Sequence, residues 1–77
     1  MDAMAKNRLR WRATRRGMLE LDEAFSRFLD QKYEGLSPEE QALFELLLEE
    51  QDPTLYAWIL GFEEPPAQFI ALVEKIR

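Results

Sequence analysis

Helix-breaking residues divide this chain of 77 residues into short segments, and this punctuation limits the folds that are open to it. Glycine readily ends a helix, and proline disfavours helical geometry in the residue before it. Between the breaks there is no strand-length alternation of apolar and polar residues. We therefore predict an all-α protein with one domain, residues 1–77, folded as a small irregular bundle of about five short antiparallel helices. The breaks fall at Gly17, Tyr33-Glu34-Gly35, Ser37-Pro38, Asp52-Pro53, Gly61 and Pro65-Pro66.

The first two helices are predicted on either side of Gly17. A basic helix is expected over about residues 4–14, and the second begins at Met18. The second places four apolar residues at helical spacing on one face. We expect it to end at Gly35, in the left-handed turn for which glycine is well suited. The four apolar residues are Leu21, Phe25, Phe28 and Leu29.

The remaining three helices are predicted from cap signals. Ser37 with Glu40 forms a capping-box pattern around Pro38 and starts the third helix. Asp52 before Pro53 repeats the cap-then-proline signal and starts the fourth, which ends at Gly61, and the fifth follows Pro65-Pro66.

Apolar residues of the predicted helices indicate the core. A wide apolar stripe on the third helix is expected at its centre, and most aromatic residues are expected in it. Tyr33 and Tyr56 are expected at its edge, with their hydroxyl groups in water. The stripe is Leu43, Phe44, Leu46, Leu47 and Leu48, and the aromatic residues are Trp58, Phe25, Phe28, Phe44 and Phe69. The acidic run Glu45, Glu49, Glu50 and Asp52 is predicted to be a solvated face.

Histidine and cysteine are both absent, which limits the reactions that the chain could catalyse and the metal ions that it could bind. The chain has no imidazole base, no thiolate nucleophile, no disulfide and none of the ligands typical of a zinc site. It also lacks a phosphate-binding glycine loop and a dinucleotide fingerprint. We predict that it is not an enzyme, with no catalytic residues, no metal site and no stably bound cofactor of its own.

The hydropathy of the chain predicts its location. No apolar run approaches the roughly 20 residues that a membrane span needs. The basic start is not followed by the continuous apolar stretch of a secretory signal. We predict a cytoplasmic protein that does not insert into a membrane.

Charge is distributed very unevenly along the chain. Residues 1–16 carry six basic residues against Asp2, a net charge of +5, whereas the remainder carries four basic and 14 acidic residues, a net charge of −10. An acidic body is repelled by a nucleic-acid backbone. The pattern favours a basic patch that orients docking on one protein partner.

The segment from Arg15 to Glu20 is the most unusual part of the sequence. Gly17 permits a sharp turn and close approach of a partner, and the arginines beside it can bind carboxylates or phosphates. Glu20 also has a purely structural explanation, since negative charge is favoured in the first turn of a helix. Arginines interleaved with Trp11 are typical both of nucleic-acid binding and of protein docking. Composition alone does not decide between these two.

Along the chain, the sequence contains in order Arg8-Leu9-Arg10-Trp11, Arg15-Arg16-Gly17-Met18-Leu19-Glu20-Leu21-Asp22, Tyr33, Leu36-Ser37, Phe44, Leu47-Leu48, Asp52-Pro53, Leu55 and Trp58. This order of motifs resembles that of the succinate dehydrogenase FAD assembly factors, a family also described in some bacteria as antitoxins. The resemblance implies a five-helix protein that binds the flavoprotein subunit of succinate dehydrogenase or fumarate reductase and promotes covalent attachment of FAD to it. It also implies that the histidine bonded to the flavin belongs to that partner.

The resemblance also implies a set of partner-binding residues. Arg16, Gly17 and Glu20 match its Arg-Gly-x-x-Glu signature, and four further residues surround them: Arg8, Trp11, Arg15 and Asp22. The alternative function is an antitoxin-like regulatory protein that binds and neutralises a toxin or its cytoskeletal target. A small nucleic-acid binder is a third reading, against which the acidic body argues.

Overall fold

The computed structural model describes residues 3–77 and is built from helices, with no strand in that range. Its five α-helices agree with the predicted all-α bundle. Two short 3₁₀ turns, Tyr33–Gly35 and Ala67–Phe69, precede the third and the fifth helix. The helices are α1 (Ala3–Thr14), α2 (Leu19–Gln31), α3 (Pro38–Leu47), α4 (Asp52–Leu60) and α5 (Ile70–Ile76).

Helix α2 lies at the centre of the bundle and contacts α1, α4 and α5. Its buried face, predicted from helical spacing, packs against aromatic residues from the following segments. The rings of Phe25 and Phe28 lie 5.8 and 5.0 Å from that of Phe44, measured between centroids. Trp58 and Phe69 form a second contact at 5.9 Å. All five aromatic residues predicted to be in the core are buried there.

Two helix ends follow the predicted local chemistry. The Ser37 hydroxyl accepts a hydrogen bond from the Glu40 backbone N–H, and the Glu40 carboxylate accepts one from the Ser37 N–H, which completes the capping box. Gly61 ends α4 in the left-handed conformation, with φ of +84°. Both ends depend on residues close together in sequence.

Four predictions about individual residues are wrong. Gly35 has no positive φ, because the chain leaves α2 through a 3₁₀ turn. Tyr33 in that turn is only 1% exposed, and its hydroxyl has no hydrogen-bond partner. Leu46 of the predicted core stripe is 50% exposed. Asp52 is the first residue of α4 rather than its cap, which is Gln51.

No helix between residues 3 and 77 combines the length and apolar character that crossing a bilayer requires. Within the same range, no three acidic side chains converge into a group that could hold a metal ion.

Candidate partner-binding site

The turn between α1 and α2 is the centre of the predicted site. Gly17 has a φ of +87°, a conformation that L side chains rarely adopt. Met18 follows in an extended conformation as the N-cap of α2, without a side-chain cap. The Asp22 carboxylate instead reaches back and accepts a hydrogen bond of 3.3 Å from the Arg16 backbone N–H. Asp22 therefore stabilises the turn from within the protein.

The Arg16 side chain points into the protein and binds the turn between α3 and α4, residues 48–51. Its Nε donates to the Asp52 carboxylate at 2.7 Å, and its two Nη atoms donate to the carbonyls of Leu48 at 3.0 Å and Glu50 at 2.6 Å. A longer bond of 3.5 Å reaches the Arg12 carbonyl. Four of the five guanidinium N–H groups are thus directed at acceptors of this chain. We call the three acceptors Asp52, Leu48 and Glu50 the Arg16 site.

Trp11 and Arg15 form an exposed pair within the predicted set. Trp11 is 61% exposed although it is a large aromatic residue. The guanidinium carbon of Arg15 lies 3.7 Å from the centre of the Trp11 ring, which is a cation–π contact. The two side chains together present a flat aromatic and cationic surface to solvent.

Gly17 and Glu20 complete the exposed part of the predicted site. A Cβ added to Gly17 would meet no atom within 4 Å, so the backbone there is open to an approaching partner. Glu20 lies in the first turn of α2 and is exposed. No ion pair or side-chain hydrogen bond joins it to another residue of the described range.

Ion pairs join the basic start of the chain to its acidic body. Four basic residues near the start of the chain pair with carboxylates of the body: Lys6 with Glu34, Arg10 with Asp30, Arg12 with Glu49, and Arg16 with Asp52. The Lys6 ammonium lowers the pKa of Glu34 by donating a hydrogen bond to it. Of the basic residues between positions 3 and 16, only Arg8 and Arg15 form no ion pair with a carboxylate in the described part of the chain.

The structure therefore separates the seven predicted residues into two groups. Arg16 and Asp22 make hydrogen bonds inside the protein, whereas the other five are exposed. We call the exposed group the docking surface, and contact of any of the seven with a partner stays a prediction. The docking surface is Arg8, Trp11, Arg15, Gly17 and Glu20.

Sequence reasoning missed Asp52, which it placed on a solvated face. Its side chain is only 28% exposed and is paired with Arg16 across 36 positions of sequence. The opposite charges of the two parts of the chain were the available signal, but they did not identify the pairs.

Comparison with known proteins places the chain in a family. The protein-family model described as flavinator of succinate dehydrogenase matches residues 7–77. The FAD assembly factor SdhE of Shewanella oneidensis is 46% identical, with all of this chain and 94% of that protein aligned. The FAD assembly factor SdhE of Legionella pneumophila strain Lens is 42% identical, with all of this chain and 96% of that protein aligned. The FAD assembly factor SdhE of Coxiella burnetii is 39% identical, with 99% of this chain and 93% of that protein aligned. No solved structure matches the chain.

These matches give no support to the alternative of an antitoxin-like regulator, because the names of these relatives refer to FAD assembly. The family match covers residues 7–77 and so includes the segment from Arg8 to Trp58 on which the resemblance rests. The chain belongs to the family of flavinators of succinate dehydrogenase.

Proposed function

We propose that this chain is a non-catalytic assembly factor that binds the flavoprotein subunit of succinate dehydrogenase and promotes covalent attachment of FAD to it. Fumarate reductase, which has a flavoprotein subunit of the same kind, is included as a second partner. The proposal is supported by the family to which the chain belongs and by the names of its relatives. It places the protein in the bacterial cytoplasm, where it acts before the enzyme is complete.

The observation that carries the proposal is the docking surface itself. Arg8 and Arg15 are the basic side chains of residues 3–16 that form no ion pair with a carboxylate of the described residues. Trp11 lies against Arg15 and is exposed, although burial of its ring is favourable. Arginine and tryptophan are the residue types that most often dominate the energy of protein interfaces. Docking on a partner accounts for both features.

The chemistry of attachment belongs to the partner. This chain contains no histidine and no cysteine, so it has no side chain of the type that commonly bonds to a flavin. The resemblance implies that a histidine of the flavoprotein makes this bond and that FAD is bound by the flavoprotein. The assembly factor itself supplies no catalytic residue, cofactor or metal.

An assembly factor can promote such a bond by selecting a conformation of its partner. Alignment of two reacting groups removes much of the entropic barrier to their reaction. A binding protein shifts its partner toward one conformation only by its difference in affinity for the two states. The docking surface would supply this difference by binding the flavoprotein best when its histidine and its FAD are aligned. Gly17 would permit close approach, and Glu20 would offer a carboxylate that forms no ion pair with the described part of the chain.

The proposal is tested by measuring covalent flavin directly. The flavoprotein subunit without covalent flavin is incubated with FAD and a limiting amount of this protein, and in-gel flavin fluorescence is read after denaturation. We expect the wild-type protein to raise the yield and Glu20→Ala to lower it, with helicity by circular dichroism unchanged. Glu74→Ala is the matched control, since Glu74 is an exposed carboxylate on α5 with no ion pair in the described chain.

The controls also define failure. A wild-type protein that neither binds the flavoprotein nor raises its covalent flavin would overturn the proposed function. Equal yields with Glu20→Ala and Glu74→Ala would remove Glu20 from the docking surface.

A further inference from the structure

We infer that Asp52, at the start of α4, is a positioning residue for the docking surface. It holds the Arg16 guanidinium in the Arg16 site and thereby keeps Gly17 in its left-handed conformation. The inference rests on the proposed function, because the conformation of the turn affects FAD attachment only if the docking surface binds the flavoprotein.

The Gly17 turn is not held by packing on Gly17 itself. Nothing lies within 4 Å of the position that a Cβ would occupy there. Met18 adds no side-chain cap on the other side of the turn. The conformation of the turn therefore depends on the residue before it.

Arg16 is held at both its backbone and its side chain. Its backbone N–H donates to Asp22 of α2, and its guanidinium donates to Asp52 of α4. These two bonds connect the residue before Gly17 with two different helices. Arg16 thus connects the Gly17 turn to helices α2 and α4.

The Arg16 site uses free backbone acceptors in the turn that follows α3. Among the backbone hydrogen bonds of the described residues outside the helices, none is accepted by the carbonyls of Leu48 or Glu50, and both accept from Arg16. Helix α3 carries no basic residue in its last turn, where a positive charge is favourable. Arg16 supplies that charge from the turn between α1 and α2.

Asp52 is the charged member of the Arg16 site. The side chains of Arg16 and Asp52 are 13% and 28% exposed, so water screens this pair less than the surface pairs. Removing the partner of a partly buried ion leaves that ion uncompensated, which is much less favourable than losing a surface pair. Without Asp52, the guanidinium would gain by leaving the Arg16 site for water, and of the two bonds that hold Arg16 beside Gly17 only the N–H bond to Asp22 would remain.

The chain offers a matched control for this effect. Arg12 and Glu49 join α1 to the same α3–α4 turn at 3.5 Å, but their side chains are 41% and 70% exposed. Glu49→Ala removes this second connection without touching the Arg16 site. A general loosening of α1 and a specific loosening of the Gly17 turn can therefore be separated.

The first measurement is made without a partner, by ¹⁵N relaxation of wild type, Asp52→Ala and Glu49→Ala. We expect the order parameter of the Gly17 amide to fall from about 0.85, typical of rigid backbone, to below about 0.6 in Asp52→Ala only. Asp52→Asn, which keeps an acceptor for Nε but not the charge, is measured in the same way if the alanine variant loses helicity. An unchanged Gly17 order parameter in the folded variant overturns the inference.

The second measurement is binding of the flavoprotein subunit. If the turn holds its docking conformation about one tenth of the time in Asp52→Ala, the apparent Kd weakens about tenfold. Covalent flavin yield should then fall at a limiting concentration of the factor and recover at a saturating one, and Asp52→Glu should restore part of the affinity. A weaker Kd with an ordered Gly17 would mean that Asp52 contacts the partner directly, and it would overturn the positioning role.

The two proposals fail in different ways. If wild type does not bind the flavoprotein, the proposed function is wrong, and the relaxation data alone decide whether Asp52 holds the turn. If wild type binds and Asp52→Ala binds equally well, the proposed function stands and the positioning role is wrong.

Discussion

The Arg15 guanidinium lies over the Trp11 ring, with its central carbon 3.7 Å from the ring centre. The contact spans one turn of α1 and the start of the loop that follows it. It holds two large exposed side chains in one arrangement before any partner arrives. Ordering of long side chains opposes association, so an arrangement already present in the free protein lowers that cost.

Trp11 should therefore matter for binding but not for folding. We expect Trp11→Ala to change the free energy of unfolding by no more than about 0.5 kcal/mol, as for other surface substitutions. Trp58 is only 6% exposed, so Trp58→Ala should lower the free energy of unfolding by about 3–5 kcal/mol. Urea unfolding measures both values, and titration with the flavoprotein should show weaker binding for Trp11→Ala. A Trp11→Ala protein that binds as wild type does would show that the exposed ring is no contact.

Gly17 and Gly35 should respond in opposite directions to substitution by alanine. At Gly17 the positive φ costs an L residue about 1–2 kcal/mol, and no steric clash adds to it. At Gly35, where φ is not positive and a Cβ would also meet no atom within 4 Å, alanine should stabilise by about 0.4–1 kcal/mol through the unfolded state. Thermal unfolding of the two variants checks this order. Equal melting temperatures would contradict the assignment of the left-handed turn to Gly17.

Local signals in the sequence predicted much of the fold. The capping box from Ser37 to Glu40 and the glycine at the end of α4 involve residues a few positions apart, and both were identified correctly. The environments of Tyr33 and Leu46 were not, because burial depends on which helices meet. Tyr33 follows a helix and reads as an edge residue, yet its ring lies 5.6 Å from that of Phe44.

The protein should become more stable when Tyr33 is replaced by phenylalanine. Its hydroxyl is buried without a partner, and an unsatisfied buried polar group costs about 1–3 kcal/mol. We expect Tyr33→Phe to raise the free energy of unfolding at pH 7 by roughly 1 kcal/mol. Tyr56→Phe, at a half-buried tyrosine, is the control and should change little.

Burial, and secondarily the charge of Glu45, raises the pKa of Tyr33 above its ordinary value of 10.0. A raised pKa in the folded state means that the neutral phenol is favoured there. Its contribution to stability is present below pH 10 and is lost as the pH rises through the folded pKa. We expect the wild-type protein to lose stability above pH 10 more steeply than Tyr33→Phe. Parallel alkaline unfolding curves would show that the Tyr33 hydroxyl is hydrated.

Glu40 should contribute to the acid limit of stability. Hydrogen bonds from Lys75 first, and then from the Ser37 backbone, lower its pKa below its ordinary value of 4.5. The stabilisation is therefore present above pH 4.5 and is lost as the pH falls through the folded pKa. Glu40→Gln should be less stable than wild type at pH 7, with a smaller difference at pH 3, as measured by urea midpoints. Glu74→Gln is the control, and a difference between Glu40→Gln and wild type that does not depend on pH would contradict this role.

The candidate site was predicted only as a set of residues, not as an arrangement. Arg16 and Asp22 stand beside Gly17 in the sequence, and adjacency gave no reason to separate them from Arg15 and Glu20. The Arg16 side chain points inward because it binds Asp52. Asp52 is distant in sequence and is brought near by the packing of α4 on α2. A short motif identifies the family, whereas the direction of each side chain is decided by the tertiary fold.

The distance in sequence between Arg16 and Asp52 has a consequence for the order of synthesis. A chain leaving the ribosome carries the complete Arg-Gly-x-x-Glu motif 32 residues before Asp52 is added. Until then the arginine lacks its charged acceptor. If the docking surface and Asp52 act as proposed, a nascent or truncated chain that lacks Asp52 carries the motif without the shape that a flavoprotein would recognise, and recognition would require the first four helices.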